Sequence, residues 1–334
     1  MPATDNRRSI VAIRYLDGYR MSRALRAGML NVIADQERLN RINVFPVPDG
    51  DTGTNLALTM QTMIRALNSK SHGHVGKTLI STADAALDGA RGNSGAILAQ
   101  FFQGLCDSAA ECKIMNTMQF SAAVTSGADY AEQALQKPVE GTILTVLRDY
   151  ARAVANWYEK EANSDFIALL SHGLETARQS LANTPKQLEV LRKAGVVDAG
   201  AQGFVDLLQG IQDFVVSGSL KQSWELSEIK DSDFDIDAGE VEDLEYRYCT
   251  ECMVTGNGID RRKLREQVSA LGSSMVIAGT NRKVKIHVHV NHPEEVFSVA
   301  AKFGEVSASK ADDMHKQQLS AHTRVKVAVI ADSA

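Results

Sequence analysis

The sequence predicts a mainly α N-terminal domain, then an acidic linker, then a small α+β domain. Three observations carry this. Apolar residues recur at intervals of three and four before residue 218, strict alternation takes over after 246, and between Ser223 and Glu245 ten acids stand against the single base Lys230. At 334 residues the chain exceeds the size at which one core usually stops growing, so two domains are the default.

The first helix is predicted from Ile10 to Ile33, with Ile13, Leu16, Met21, Leu25, Met29 and Val32 as its apolar stripe. Further helical stretches follow Gly53, Gly76, Gly92, Met115, Gly141, Ser164 and Gly200. Several start directly after glycine-containing loops, and those loops (PDGDTGTN, GARGNSGA, KPVEGT, VVDAGAQG) hold most of the unusual residues. A helical bundle with function at its loop ends follows. After the acidic run, read as a solvated linker over an acidic docking site, KVKIHVHV at 283–290 alternates strictly. EYRYCTECMV and SSMVIAGT also read as strands, with RRKLREQVSALG and PEEVFSVAAKFG as helices. The expected domains are 1–218, linker 219–245, 246–322, and the start of a third, truncated unit at 323–334, where RVKVAVIADSA reads as a buried strand with nothing left to pair beside it.

No signal-peptide pattern follows the N-terminal arginines and no run of 18 apolar residues occurs, so a cytoplasmic protein without stable membrane insertion is expected. With a net charge of -5, no nucleic-acid partner is expected. Four cysteines in a chain this long do not make a disulfide framework, which leaves metal as an option for Cys249 and Cys252.

NVFPVPDGDTGTNL at 43–56 has two of the chain's six prolines, two aspartates and two glycines, more than a turn requires. Asp49 and Asp51 diverge on a strand or a helix, so only a loop converges them. Two converging carboxylates repel unless a cation lies between them. An EF-hand would need Glu where Met60 stands, so magnesium shared with phosphate oxygens is the expectation. The alternative is that the pair merely caps the helix beginning near Thr54. In GARGNSGA, Gly92, Asn93, Ser94 and Gly95 open an apolar helix whose amides and dipole suit a phosphate. Tight helix packing through small residues is the competing reading. Ala96 rules out a nucleophile elbow, and Ser71 rules out a Walker A loop at HVGKT.

NVFPVPDGDTGTN, GARGNSGAILAQFFQG, KPVEGTILTVLRDYA and VVDAGAQGFVDLLQG, in this order, resemble the DhaL-type (DAK2) nucleotide-binding domain of the dihydroxyacetone kinase superfamily. More closely they resemble the kinase subunit of bacterial fatty acid kinase, over roughly residues 8–216. YCTECMV, VKIHVHVNHP and FGEV resemble the middle domain of the same kinase, and KVAVIADSA resembles the opening strand of a DegV-type fatty-acid-binding domain. The resemblance implies an eight-helix antiparallel barrel with ATP and two magnesium ions at one end, and a homodimer. Asp49 and Asp51 match the metal-binding aspartates, with Asn43 standing nearest to a third carboxylate of the relatives and counted as a ligand with them. Asp49, Asp51 and Thr52 are the implied catalytic residues; Asn55, Gly92, Asn93, Ser94, Gly95, Thr142, Asp198 and Gly200 match loops around the nucleotide.

Alternation places His287 and His289 on one strand face with Lys283 and Lys285, opposite the apolar Val284, Ile286, Val288 and Val290. Two imidazoles so spaced suit zinc, and Cys249, not Cys252, shares the face of Glu251 on its own strand. Cys249, His287 and His289, which also match the family's zinc ligands, are the expected site; Cys252 would join only through a bulge. A solvated His pair and a redox CxxC are the alternatives. The expected function is an ATP-dependent kinase acting on a fatty acid carboxylate presented by a DegV-type protein or fused domain. A dihydroxyacetone-type small-molecule kinase and a non-catalytic nucleotide-binding regulator are the competing readings.

Overall fold

The computed structural model describes residues 12–69, 72–135, 137–160, 165–217 and 245–316. The acidic linker up to residue 244 and the expected third unit at 323–334 lie outside the described residues.

The first helix starts later than its periodicity predicts. Tyr15–Leu16 form a short strand, β1, paired antiparallel with β2 (Met115–Asn116), and α1 (Gly18–Ala34) begins where the Asp17 carboxylate accepts the Arg20 amide at 2.8 Å. Local capping therefore overrides an apolar spacing that happens to continue upstream. The chain continues through α2 (Gln36–Arg41), α3 (Thr52–Ser69), α4 (Val75–Gly89) and α5 (Gly92–Ala109). After β2 come α6 (Thr117–Ala134), opened by an Asn116–Gln119 capping box, α7 (Ile143–Lys160), α8 (Phe166–Gln187), the short α9 (Glu189–Ala194) and α10 (Ala199–Ser217).

The long helices close a ring. α1, α3, α4, α5, α6, α7 and α8 each pack on the next in that order, α8 packs on α10, and α10 returns to α1. The closing seam is tight because a Cβ at Gly28 would lie 2.4 Å from the Leu207 carbonyl oxygen, and one at Gly210 would lie 2.6 Å from that of Ala27. Phe204 sits at the centre, with the rings of Phe101 and Tyr150 edge-on at 5.6 Å each.

The start of α3 is pinned to α2, which matters because the acidic loop lies between them. Asn40 Oδ1 accepts the Thr54 amide at 3.0 Å, and the Asn40 and Gln36 amides both donate to Thr54 Oγ1. A Cβ at Gly53 would lie 2.0 Å from the Gln36 carbonyl oxygen. Gly53→Ala is therefore expected to cost about 1–3 kcal/mol, read as a lower urea midpoint, and to weaken nucleotide-dependent thermal stabilisation by moving Asp51.

The second domain is an antiparallel sheet of order β4-β5-β3-β6, made of β3 (Tyr248–Thr255), β4 (Gly272–Gly279), β5 (Lys283–Val290) and β6 (Glu305–Asp313). Helices α11 (Arg261–Ser269) and α12 (Pro293–Ala300) cover one face, where Leu264, Val268, Ile286, Val288 and Val296 form a core. β6 is absent from the sequence expectation: EVSASKADD has no apolar alternation because it is a largely exposed edge strand.

Alternation on β5 holds, yet the polar face is not solvated. Lys285, His287 and His289 are 5%, 2% and 7% exposed, because this face packs against the helical domain. Met253, Val276 and Ala278 meet Leu87, Ala96 and Ala134, and Arg261 donates to Gln100 Oε1 at 3.2 Å. Among the described residues no helix is long and apolar enough to cross a membrane.

Candidate functional site

The site is assembled from the loop before α3, the start of α5 and the buried face of the sheet. Gly50, at φ 67°, turns the loop so that Asp49 and Asp51 converge. Burial first, and then the charge of Asp51, pushes the Asp49 carboxyl well above the ordinary range; burial also raises Asp51. Two buried carboxylates that resist ionisation together are suited to a divalent cation, which would replace the proton between them.

Asn43 holds this loop from inside. Its Nδ2 donates to Asp49 Oδ1 at 2.7 Å and to the Val47 carbonyl at 3.3 Å, while its Oδ1 accepts from Thr52 Oγ1 at 2.6 Å. Both ends of the Asn43 amide are thus engaged within the loop, which gives it a positioning role there. Thr52 serves the same loop through its hydroxyl. Asp51 accepts the Asn55 amide at 2.8 Å through its backbone carbonyl, at the start of α3.

Asp49, Asp51, Asn55 and Ser94 line a cleft whose opposite wall includes Glu251 and His287 of the sheet. Gly92 and Asn93 also line it. An adjoining cavity of about 420 Å³ shares Phe45, Pro46, Asn93 and Ser94 with the cleft. Its walls are mixed: Ile97, Leu135, Ile143 and Met275 are apolar, while Thr142 and Asp198 are polar. Burial raises the Asp198 pKa to about 6, and its Oδ1 accepts the Ala201 amide at 2.8 Å. Volume and lining suit a small ligand with an apolar part and a polar part.

Gly95 and Gly200 line neither space. A Cβ at Gly95 would lie 2.9 Å from Thr59 Oγ1, and one at Gly200 would lie 2.5 Å from Ser94 Oγ. Both positions are close-packed, Gly95 against Thr59 and Gly200 against Ser94.

The sheet contributes two cross-strand rows. Cys249 stands opposite His289 on β5 and Asp312 on β6; Glu251 stands opposite His287 and Lys310. The ligand atoms of Cys249, His287 and His289 lie within 4.8 Å of one another. Burial disfavours charge on both rings. At His287 the neighbouring Cys249 and Glu251 outweigh it and raise the pKa to about 10, whereas burial and then the charge of His287 push His289 down to about 3. His287 Nε2 is buried without a hydrogen-bond partner, and its Nδ1 lies 3.0 Å from Glu251 Oε1. A partly exposed cysteine, two buried imidazoles and an orphaned ring nitrogen backed by a carboxylate fit zinc or a similar soft-to-borderline cation. Cys252 is excluded from this set. It points into the α11–α12 core, where burial pushes its thiol up to about 12, despite the register shift between Glu251 and Met253 against β6.

Sequence reasoning assigned no role to Glu251, Lys285, Lys310 or Asp312. Alternation places Glu251 and Lys285 on the ligand face, but their burial depends on the second domain docking. Lys310 and Asp312, which form an ion pair, sit on the strand that carries no apolar signal.

The DAK2 domain family matches residues 46–213, and the FakA-like middle-domain family of fatty acid kinase matches residues 245–321. Protein YloV of Bacillus subtilis is 35% identical over 320 residues, which are 93% of this chain and 58% of YloV. An uncharacterized protein of Staphylococcus saprophyticus is 37% identical over 316 residues, covering 90% of this chain and 56% of that protein. The chain thus spans a little over half the length of these curated relatives. The crystal structure of the dihydroxyacetone kinase from C. freundii in complex with AMP-PNP and Mg2+ aligns with a TM-score of 0.46 at 12% identity, covering 64% of this chain and 37% of that one.

Proposed function

The chain belongs to the DAK2 domain family, and from that premise we propose that it is a magnesium-dependent kinase that uses ATP to phosphorylate an acyl carboxylate. The observation that carries the reading is the convergence of Asp49 and Asp51, both resisting ionisation, beside the opening residues of α5. Magnesium bound there would neutralise phosphate charge, the main requirement of phosphoryl transfer. Asp49 and Asp51 would hold it, Asn43 and Thr52 would keep the loop in shape, and Asn93 and Ser94 would face the phosphates. Ile97, Leu135, Ile143 and Met275 would receive the base, with Thr142 and Asp198 at the polar edge.

A carboxylate acceptor is ionised at neutral pH and needs no general base. This agrees with a cleft whose two histidines already belong to a metal-type cluster. The acceptor would be a fatty acid presented by a DegV-type binding protein or by a fused domain. ADP release measured with ATP, magnesium and either dihydroxyacetone or a fatty-acid-loaded DegV-type protein tests the proposal. Release is expected only with the loaded protein. Turnover with the sugar alone would overturn the acyl assignment, and no turnover with either would favour a nucleotide-binding regulator.

A further inference from the structure

One carboxylate touches both halves of the site. Glu251 Oε1 accepts the backbone N–H of Gly92, the first residue of α5, at 3.0 Å, and the same oxygen lies 3.0 Å from His287 Nδ1. Its other oxygen lies 3.1 Å from Lys285 Nζ. Lys285 in turn donates to the Ala90 carbonyl, so both sides of the Ala90–Gly92 segment are gripped from the second domain. Glu251 and Lys285 are each 5% exposed, which leaves little room for either to find water instead.

We propose that Glu251 is a positioning residue that couples metal occupancy of the Cys249–His287–His289 cluster to nucleotide binding at the start of α5. The inference rests on the nucleotide reading given above. A metal on His287 Nε2 leaves Nδ1–H as the ring's donor and fixes the ring toward Glu251. Without it the ring has a competing contact, since Nδ1 lies 3.8 Å from Cys249 Sγ. Whatever fixes the ring fixes Oε1, and Oε1 fixes the Gly92 amide. Gly92 has little freedom to respond otherwise: it holds φ 60°, and a Cβ there would lie 2.9 Å from Asn55 Nδ2. The adjoining Asn93 and Ser94, which line both the cleft and the cavity, follow the same turn of backbone.

Coupling of this kind is reciprocal, so each ligand must tighten the other by the same factor. The test measures the affinity of a non-hydrolysable ATP analogue with magnesium, by calorimetry, on the protein stripped of zinc and on the protein reloaded with zinc. Zinc is expected to tighten the analogue by about fivefold or more. In Glu251→Gln, which keeps the side-chain volume but not the charge, both ligands are expected to bind while the two affinities converge. Equal affinities in the stripped and reloaded native protein would overturn the coupling without any variant, and a zinc effect undiminished in Glu251→Gln would overturn the role of Glu251. Failure of the analogue to bind in any state would instead count against the nucleotide reading itself and take the inference with it.

Discussion

Asp49→Asn and Asp51→Asn are each expected to make the metal-free protein more stable while removing its function. Phosphoryl transfer should fall by at least about 10³-fold, since each change removes a carboxylate that would hold the magnesium. Thermal stabilisation by ATP with magnesium should disappear. The gain in the metal-free state follows from the pKa directions. A carboxyl whose folded pKa is raised binds its proton more tightly in the folded state, so folding stability falls as pH rises above the unfolded value of about 3.9. Asparagine carries no such penalty. The stability advantage of either variant should therefore be absent near pH 4 and grow toward neutral pH, as read from thermal melts in chelator across that range. Asn43 can still donate to the retained Oδ1 at position 49, so the loop itself should survive. A variant less stable than the native protein at neutral pH would show that the aspartates serve the fold, as a helix cap would, and not a cation.

How far the sequence revealed this site depends on the distance over which each part is determined. The aspartate pair was legible because proline, glycine and carboxylate chemistry act within a few residues, and Asp49 with Asp51 needs nothing remote to be recognised. The long helices were legible by their apolar spacing, apart from the start of α1, where Asp17 ends a pattern that Ile13 and Leu16 extend by coincidence, while the six-residue α2 and α9 are too short to show one. His287 and His289 declared a shared face through alternation on β5. What alternation does not report is what covers that face. A solvated His pair therefore stays open beside the zinc reading, and the burial of Lys285 and Glu251 does not show until α5 and its preceding loop are laid across the sheet. Asn43 was legible as special, but its bonds were not, because they depend on which of its neighbours, Asp49 or Thr52, each end of the amide meets. β6 was illegible for the opposite reason: an exposed edge strand has no buried side to pattern, so Lys310 and Asp312 enter the site unannounced.

Lys285→Met tests whether that covering is part of the working structure. Lys285 lies between Glu251 and the Ala90 carbonyl with both partners buried, so removing its charge leaves a carboxylate and a carbonyl without their donor. Breaking a buried pair from one side costs about 3–5 kcal/mol, well beyond the typical effect of a surface lysine. Burial opposes ionisation of Glu251, but His287 and Lys285 outweigh it and hold its carboxyl far below the usual range, so the loss falls on a group that stays charged. The expected outcome is a marked drop in denaturation midpoint, accompanied by weaker nucleotide binding as the segment before Gly92 loosens. Combining Lys285→Met with Glu251→Gln should recover part of the stability, because the second change removes the uncompensated charge. It should not recover nucleotide affinity, since the Ala90 carbonyl still lacks its donor. Independent, additive losses would mean that the two side chains do not act as a pair, and an unchanged midpoint for Lys285→Met would mean that the sheet face is open to water and the two domains do not dock in this way.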